Sequence, residues 1–139
     1  MNQPVVRIRR VIKAKRKKVF EAWTKPELLR KWFFAAPNWS ASVSNELKVG
    51  GSYKVDMHTA EKNTFSHYGE YKEIKPPGKL VFTWNSSMIQ NSLVTIEFKE
   101  LGDATELTLT HELLPTEDIR SKHEGGWNGC LDNLEKYLK

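Results

Sequence analysis

Residues 116–139 read TEDIRSKHEGGWNGCLDNLEKYLK and form one amphipathic pattern. Apolar residues recur at intervals of three and four, which is the spacing of one face of an α-helix. These apolar positions are Trp127, Leu131, Leu134 and Leu138. Thr116 precedes two acids, an order typical of a helix start, because a hydroxyl can accept from a backbone N–H and acids are favoured there. The pattern predicts one long C-terminal helix whose apolar face needs a partner surface.

The partner surface is predicted upstream, where the hydrophobic period changes to two. Six segments alternate apolar and polar residues, as half-buried strands do. They are SASVSNEL, SYKVDMHTA, TFSHYGEYKEI, LVFTW, SLVTIEFKE and TELTLTHEL. The connections between them are short and contain turn residues, as in KVGG and KPPGK. Short connections favour an antiparallel meander.

The first predicted strand is strongly basic. Residues 6–12, VRIRRVI, alternate apolar and basic side chains, with Arg10 interrupting the apolar side. Residues 7–18 hold eight of the 22 Lys and Arg residues, so the net charge of +5 arises from this segment. The strand pattern favours a solvated basic edge. The alternatives are a patch that binds an anionic ligand or docks a partner, and an arm that binds nucleic acid. Because no nucleic-acid-binding motif accompanies the charge, we expect no nucleic-acid partner.

Two short helices are predicted directly after this strand. In KAKRKKVFEAW, the residues Val19, Phe20 and Trp23 form a helical stripe. In TKPELLRKWFF, Thr24 and Glu27 have the spacing of a capping box, which predicts a second helix start.

Together these elements predict a single α+β domain over residues 1–139. A curved antiparallel sheet of about seven strands carries two short helices after its first strand and is covered by the long C-terminal helix. A chain of 139 residues is typical of one domain.

The composition of the chain indicates its cellular location. The single cysteine, Cys130, excludes an internal disulfide and a CxxC motif. No stretch approaches the roughly 20 apolar residues of a membrane span, and the start has no apolar run of signal-peptide length. We therefore expect a cytoplasmic protein without membrane insertion.

Five blocks of the sequence together resemble a known family. In chain order they are VFEAWTKPELLRKWF, LKVGGSYKVDM, GEYKEIKPPGKLVFTW, TELTLTHELLP and HEGGWNGCLDNLEKYL. They resemble the activator of heat shock protein 90 ATPase homologue-like family, within the START-like (SRPBCC) superfamily. The resemblance implies the helix-grip fold of the birch pollen allergen and a link to stress response. It also implies a deep cavity between sheet and C-terminal helix, often used for hydrophobic small molecules.

The aromatic residues give the main indication of function. Five Trp residues are many for this length, and the implied fold brings aromatic side chains from separate elements round one space. We expect a cavity that binds a hydrophobic or aromatic molecule, such as a lipid, a flavonoid or a polyketide-like compound, with two histidines orienting it. The expected ligand-binding residues are Trp32, His67, Tyr71, Phe82, Trp84, His111, Trp127 and Leu131. A filled aromatic core is the open alternative.

Catalytic and metal-binding patterns are weak in comparison. His123 and Cys130 could share one helical face, but zinc needs three or four ligands, and Cys130 lies beside the apolar stripe. The sequence holds no P-loop, GxGxxG or GxSxG motif. We therefore expect non-enzymatic binding, with no catalytic residue, metal or cofactor.

Two other functions stay open at this point. One is a protein-interaction domain that regulates a chaperone ATPase. The other is an enzyme of the cyclase or hydrolase kind. The expected partners are a small hydrophobic ligand and a chaperone or other protein, and the expected state is a monomer or weak dimer.

Overall fold

The computed structural model describes residues 5–138, and its element order is the one that the sequence predicts. The elements are β1 (Val6–Ile12), α1 (Arg16–Thr24), α2 (Pro26–Leu29), β2 (Ser40–Asn45), β3 (Ser52–His58), β4 (Thr64–Lys75), β5 (Lys79–Trp84), β6 (Ser92–Leu101), β7 (Ala104–Glu112) and α3 (Glu117–Tyr137). Residues 1–4 and 139 of the predicted domain lie outside the described residues. Within residues 5–138, no helix combines the length and the apolar character needed to cross a membrane.

All seven strands form one antiparallel sheet, in the order β1-β7-β6-β5-β4-β3-β2. Each strand from β2 to β6 pairs with the next strand in the chain, and β1 pairs with the free side of β7. A bulge between Tyr71 and Glu73 interrupts the register of β4 against β5, and bulges bend a strand and increase its twist. The sheet is therefore curled, as predicted.

Helix α3 covers the apolar face of this sheet. Its start is capped as expected, because the Thr116 hydroxyl oxygen accepts from the Ile119 N–H at 3.1 Å. Its buried residues are Trp127, Cys130, Leu131 and Leu134. The predicted apolar stripe is confirmed, and it covers the side of the core opposite the sheet.

Gly129 allows α3 to lie directly against the loop between α2 and β2. A Cβ atom at this position would clash with the backbone carbonyl of Ala35. One turn further on, the Asn133 side-chain amide donates to the Phe34 carbonyl at 2.8 Å. The helix therefore holds this loop in place, and the loop forms one side of the cavity described below.

Arg10 links the edge strand β1 to α3. Its guanidinium donates to the Asp132 carboxylate and the Asn128 side-chain oxygen, at 2.8 and 2.9 Å, and also to Glu135. The Arg10 side chain is only 21% exposed. An arginine can interrupt the apolar side of β1 because α3 supplies carboxylates over it.

The predicted capping box at Thr24 is wrong. Thr24 ends α1, and its hydroxyl donates to the Phe20 carbonyl at 3.1 Å. Lys25 precedes α2 without a side-chain cap, and Pro26 occupies the first turn. Only one residue separates the two helices, so the hydroxyl of Thr24 is already engaged by the preceding turn.

Candidate ligand cavity

A cavity of about 420 Å³ lies between α3, strands β3 to β5 and the loop after α2. Its wall consists of Phe33, Ala35, Trp39, Met57, Phe65, His67, Trp84, Lys122, His123, Gly126, Trp127 and Cys130. Small-molecule sites commonly have volumes of about 300–1,000 Å³. The cavity is therefore large enough for a small ligand.

Aromatic rings form most of the inner wall. Phe33 stacks on Trp84 with ring centroids 5.9 Å apart, and Trp84 contacts Trp127 at 4.9 Å. At the outer edge, Trp39 stacks on Phe65 at 5.8 Å, and Phe65 is 51% exposed. Because these rings come from two strands, a helix and a loop, only the complete fold assembles the wall. Such a wall favours a flat apolar ligand that stacks on it.

His67 is a polar group of the wall with unused hydrogen-bonding capacity. Its ring stacks on Trp84 at 4.6 Å, and its Nδ1 is buried without a partner among the described residues. Burial lowers the pKa of His67 to about 4; the charge of His123 lowers it further, and Asp56 opposes the shift. The ring is therefore neutral near pH 7, and a neutral imidazole can donate one hydrogen bond and accept one.

Lys122 and His123 bring polar groups to the cavity from α3. His123 Nδ1 donates to the Ile119 carbonyl at 2.8 Å, so Nε2 is the ring nitrogen left to contact a ligand. The Lys122 ammonium lies 3.2 Å from the Asp118 carboxylate, one turn earlier on the exposed face. Such helical ion pairs contribute only about 0.3–0.5 kcal/mol. The ammonium therefore stays available for a second anionic group.

A buried hydrogen-bonded chain holds Trp127 and His111 together behind the wall. Trp127 Nε1 donates to His111 Nδ1 at 3.0 Å, and His111 Nε2 lies 2.9 Å from the Ser92 hydroxyl. That hydroxyl donates to the Trp84 carbonyl at 2.6 Å. Since a hydroxyl has one proton, His111 must carry its own proton on Nε2 and donate it to Ser92. Burial, together with the charge of His123, lowers the pKa of His111 to about 3 and keeps the ring neutral.

Cys130 faces the cavity as a buried thiol. Burial raises its pKa well above the ordinary value, so the thiolate, which is the reactive form, is suppressed. In the part of the chain that the structure describes, no group of three or more His, Cys, Asp or Glu residues could hold a metal ion.

The sequence was compared with models of known families. The model described as "Activator of Hsp90 ATPase homolog 1-like protein" matches residues 13–139. The chain belongs to this family. The membership confirms the resemblance and places the protein in the START-like superfamily. No curated protein matches the chain significantly.

Solved structures similar to this family member share its fold over almost the whole chain. A protein from Chromobacterium violaceum is 23% identical, with a TM-score of 0.88 over 96% of each chain. A protein from Nitrosomonas europaea is 25% identical, with a TM-score of 0.81 over 96% of this chain and 93% of the other. The AHSA1 protein from Silicibacter pomeroyi is 21% identical, with a TM-score of 0.85 over 97% of each chain. These likenesses confirm the helix-grip fold.

Three of the eight sequence-predicted site residues lie on the wall of the cavity in this family member: His67, Trp84 and Trp127. The structure places the other five in the core behind the wall. They are Trp32, Tyr71, Phe82, His111 and Leu131.

Each of these five side chains has its partners inside the core. The indole of Trp32 donates to the Ala22 carbonyl, and the Tyr71 hydroxyl accepts from Asn45. Leu131 is fully buried, and both ring nitrogens of His111 are engaged. The space beside Tyr71 and Phe82 is about 10 Å³, which is about the size needed for one water. The inner half of the core is therefore filled, and the outer half is open.

Sequence reasoning missed nine of the twelve wall residues, which lie in the loop after α2, in strands β3 and β4, and in α3. The missed residues are Phe33, Ala35, Trp39, Met57, Phe65, Lys122, His123, Gly126 and Cys130. Two patterns could have found some of them. Phe65 shares the alternating face of β4 with His67, and Gly126 lies one turn from both His123 and Cys130 on α3. No sequence signal places Trp39, because the path of its loop depends on the contact with Gly129.

Proposed function

We propose that this protein binds a small, largely apolar molecule in the cavity between the sheet and α3. The supporting observation is a cavity of about 420 Å³ whose wall joins aromatic rings to the imidazole of His67, and Nδ1 of this ring has no partner among the described residues. Burial of apolar ligand surface contributes about 25 cal/mol per Å², while a few polar groups select and orient the ligand. Membership of the family is consistent with ligand binding or with a chaperone-related function.

In this proposal the predicted residues have two kinds of role. Trp84 and Trp127 stack on the ligand, and His67 donates or accepts a hydrogen bond. His111 is a positioning residue, because it holds the indole of Trp127. The remaining predicted residues, which support the wall from the core, are Trp32, Tyr71, Phe82 and Leu131. Lipids, flavonoids and polyketide-like aromatics are the ligand classes to test.

Two neighbouring glycines of α3 provide a matched test. A Cβ atom at Gly125 or at Gly126 would meet no other atom within 4 Å. Gly126 lines the cavity, whereas Gly125 is exposed. Gly126→Leu should therefore place its side chain in the cavity, and Gly125→Leu should not. Both changes should favour the helix by a similar amount, because glycine is the less favourable residue by about 0.8–1 kcal/mol.

The test is a screen of the three ligand classes by thermal shift, followed by NMR titration of each hit. We expect a hit that binds the wild type and Gly125→Leu equally and binds Gly126→Leu far more weakly. Equal binding to both variants would place the ligand elsewhere. A broad screen without any hit would count against the proposal.

A second candidate function is regulation of a chaperone ATPase through a protein contact. The name of the matching family points to it, and so does the basic segment at residues 7–18. Among the salt bridges of the described residues, Arg10 is the one member of this segment with a carboxylate partner. The other bases form a surface suited to an acidic partner. Stimulation of a purified Hsp90 ATPase, lost when Lys15, Lys17 and Lys18 are changed to Gln, would favour this function.

A further inference from the structure

We infer that the ligand carries one anionic group, of the carboxylate kind, at the α3 edge of an apolar body. This inference rests on the proposed function and adds the charge and the orientation of the ligand.

The titratable side chains of the wall all lack negative charge. Among the wall residues that the structure describes, they are His67, Lys122, His123 and Cys130, and no carboxylate is present. Cys130 is held as a neutral thiol. A cationic ligand would lose hydration in this cavity without meeting an opposite charge, and burying an unpaired charge is strongly unfavourable.

The acidic residues near the cavity lie outside its wall. Asp56 follows the alternation of β3 and lies on the opposite face from Met57, which lines the wall. Its carboxylate lies 3.6 Å from the Lys54 ammonium. Asp118 lies on the exposed side of α3, where it contacts Lys122. Neither carboxylate belongs to the cavity wall.

Hydrogen-bond donors outnumber acceptors on the wall. Lys122 supplies an ammonium with three N–H groups, and the neutral ring of His67 supplies one more N–H. The second nitrogen of His67 is an acceptor, and Nε2 of His123 accepts only in the neutral form of that ring. A carboxylate has acceptors only, so it complements this set better than a hydroxyl or an amine does.

The position of Lys122 determines the orientation of the ligand. Its side chain is 62% exposed and pairs with Asp118, whose side chain is 76% exposed. The charged end of the ligand therefore lies at the α3 edge, where it stays partly hydrated, and the apolar body extends toward Phe33 and Trp84. This arrangement avoids full desolvation of the anion.

The inference is tested with three probes that share a naphthalene skeleton: 2-naphthoic acid, its methyl ester and 2-naphthylmethylamine. Their dissociation constants are measured at neutral pH by ¹H–¹⁵N chemical-shift titration of the full chain. We expect the acid to bind about tenfold or more tightly than the amine, with the ester between them, because a charge-assisted hydrogen bond gives a factor of this size.

Two variants of α3 test whether the preference for the acid depends on Lys122. Lys122→Gln should weaken binding of the acid to the level of the ester and leave the ester unchanged. Lys136→Gln, on the same helix but outside the wall, should change neither. Equal binding of the three probes, tighter binding of the amine, or an equal effect of both variants would overturn the inference while leaving the cavity as a binding site. No binding by any probe would overturn both proposals.

Discussion

His67 and His111 are two neutral imidazoles with different roles. Both nitrogens of His111 are engaged by Trp127 and Ser92, whereas His67 has a buried nitrogen without a partner among the described residues. His111 therefore stabilises the wall, and His67 is suited to contact a ligand. The sequence shows only two histidines on apolar strand faces, because the partners of His111 come from other elements.

Acidification should destabilise the fold through these two rings. From an ordinary value of 6.5, the pKa falls to about 4 at His67 and to about 3 at His111. Below pH 6.5 the unfolded chain takes up protons at these positions and the folded chain does not, so the free energy of unfolding should decrease as the pH falls from 6.5 toward 4. Urea denaturation at a series of pH values measures this slope.

The variant His67→Phe keeps a ring against Trp84 and removes one of the titrating groups. Its free energy of unfolding should depend less steeply on pH over the same interval. A slope identical to that of the wild type would show that His67 is not held neutral by the fold.

Helix α3 presents three functional faces along one element. One face enters the core through Leu131 and Leu134. A second row faces the cavity through His123, Gly126 and Cys130. The polar residues that bind Arg10 form the third face. Periodicity predicted the first face, since apolar spacing is a strong signal, whereas the other two depend on which neighbours the fold brings close.

The glycines of α3 should respond to alanine with opposite signs. Gly125→Ala should raise the free energy of unfolding by up to about 1 kcal/mol, because the position is exposed and alanine favours helix. Gly129→Ala should lower it, since the added methyl group clashes with the Ala35 carbonyl. Chemical denaturation of both variants measures the difference. Equal stabilisation by the two changes would contradict the close contact between α3 and its loop.

The hydrogen bonds and ion pairs between β1 and α3 should depend on Arg10. Arg10→Ala should lower the free energy of unfolding by about 1–3 kcal/mol, because a partly buried, charge-assisted network is lost. Arg9→Ala is the control; Arg9 is exposed on the other face of β1, so its loss should stay within about 0.5 kcal/mol. Similar losses for the two variants in urea denaturation would argue against a stabilising network.

At the scale of the whole molecule, the sequence was sufficient for the architecture. Strand and helix periods specified the element order, and the apolar stripe of α3 required a sheet to cover. The sequence did not predict that the inner half of the core is filled and the outer half is open. Tyr71 and Phe82 pack solidly beside the bulge of β4, while Trp39 and Phe65 stack on each other at the edge of an open cavity. Whether a part of the core is filled or open depends on the path of the loops and the curvature of the strands. Neither can be read from the residues of a single segment.

The most direct measurement is the pair of indole N–H signals of Trp84 and Trp32 during titration with 2-naphthoic acid. The Trp84 indole lines the cavity without a hydrogen-bond partner among the described residues, whereas the Trp32 indole is bonded to the Ala22 carbonyl in the core. Binding in the cavity should shift the Trp84 signal strongly and saturably and leave the Trp32 signal almost unchanged. Saturable shifts confined to residues 7–18, or no shift at Trp84, would contradict ligand binding in the cavity.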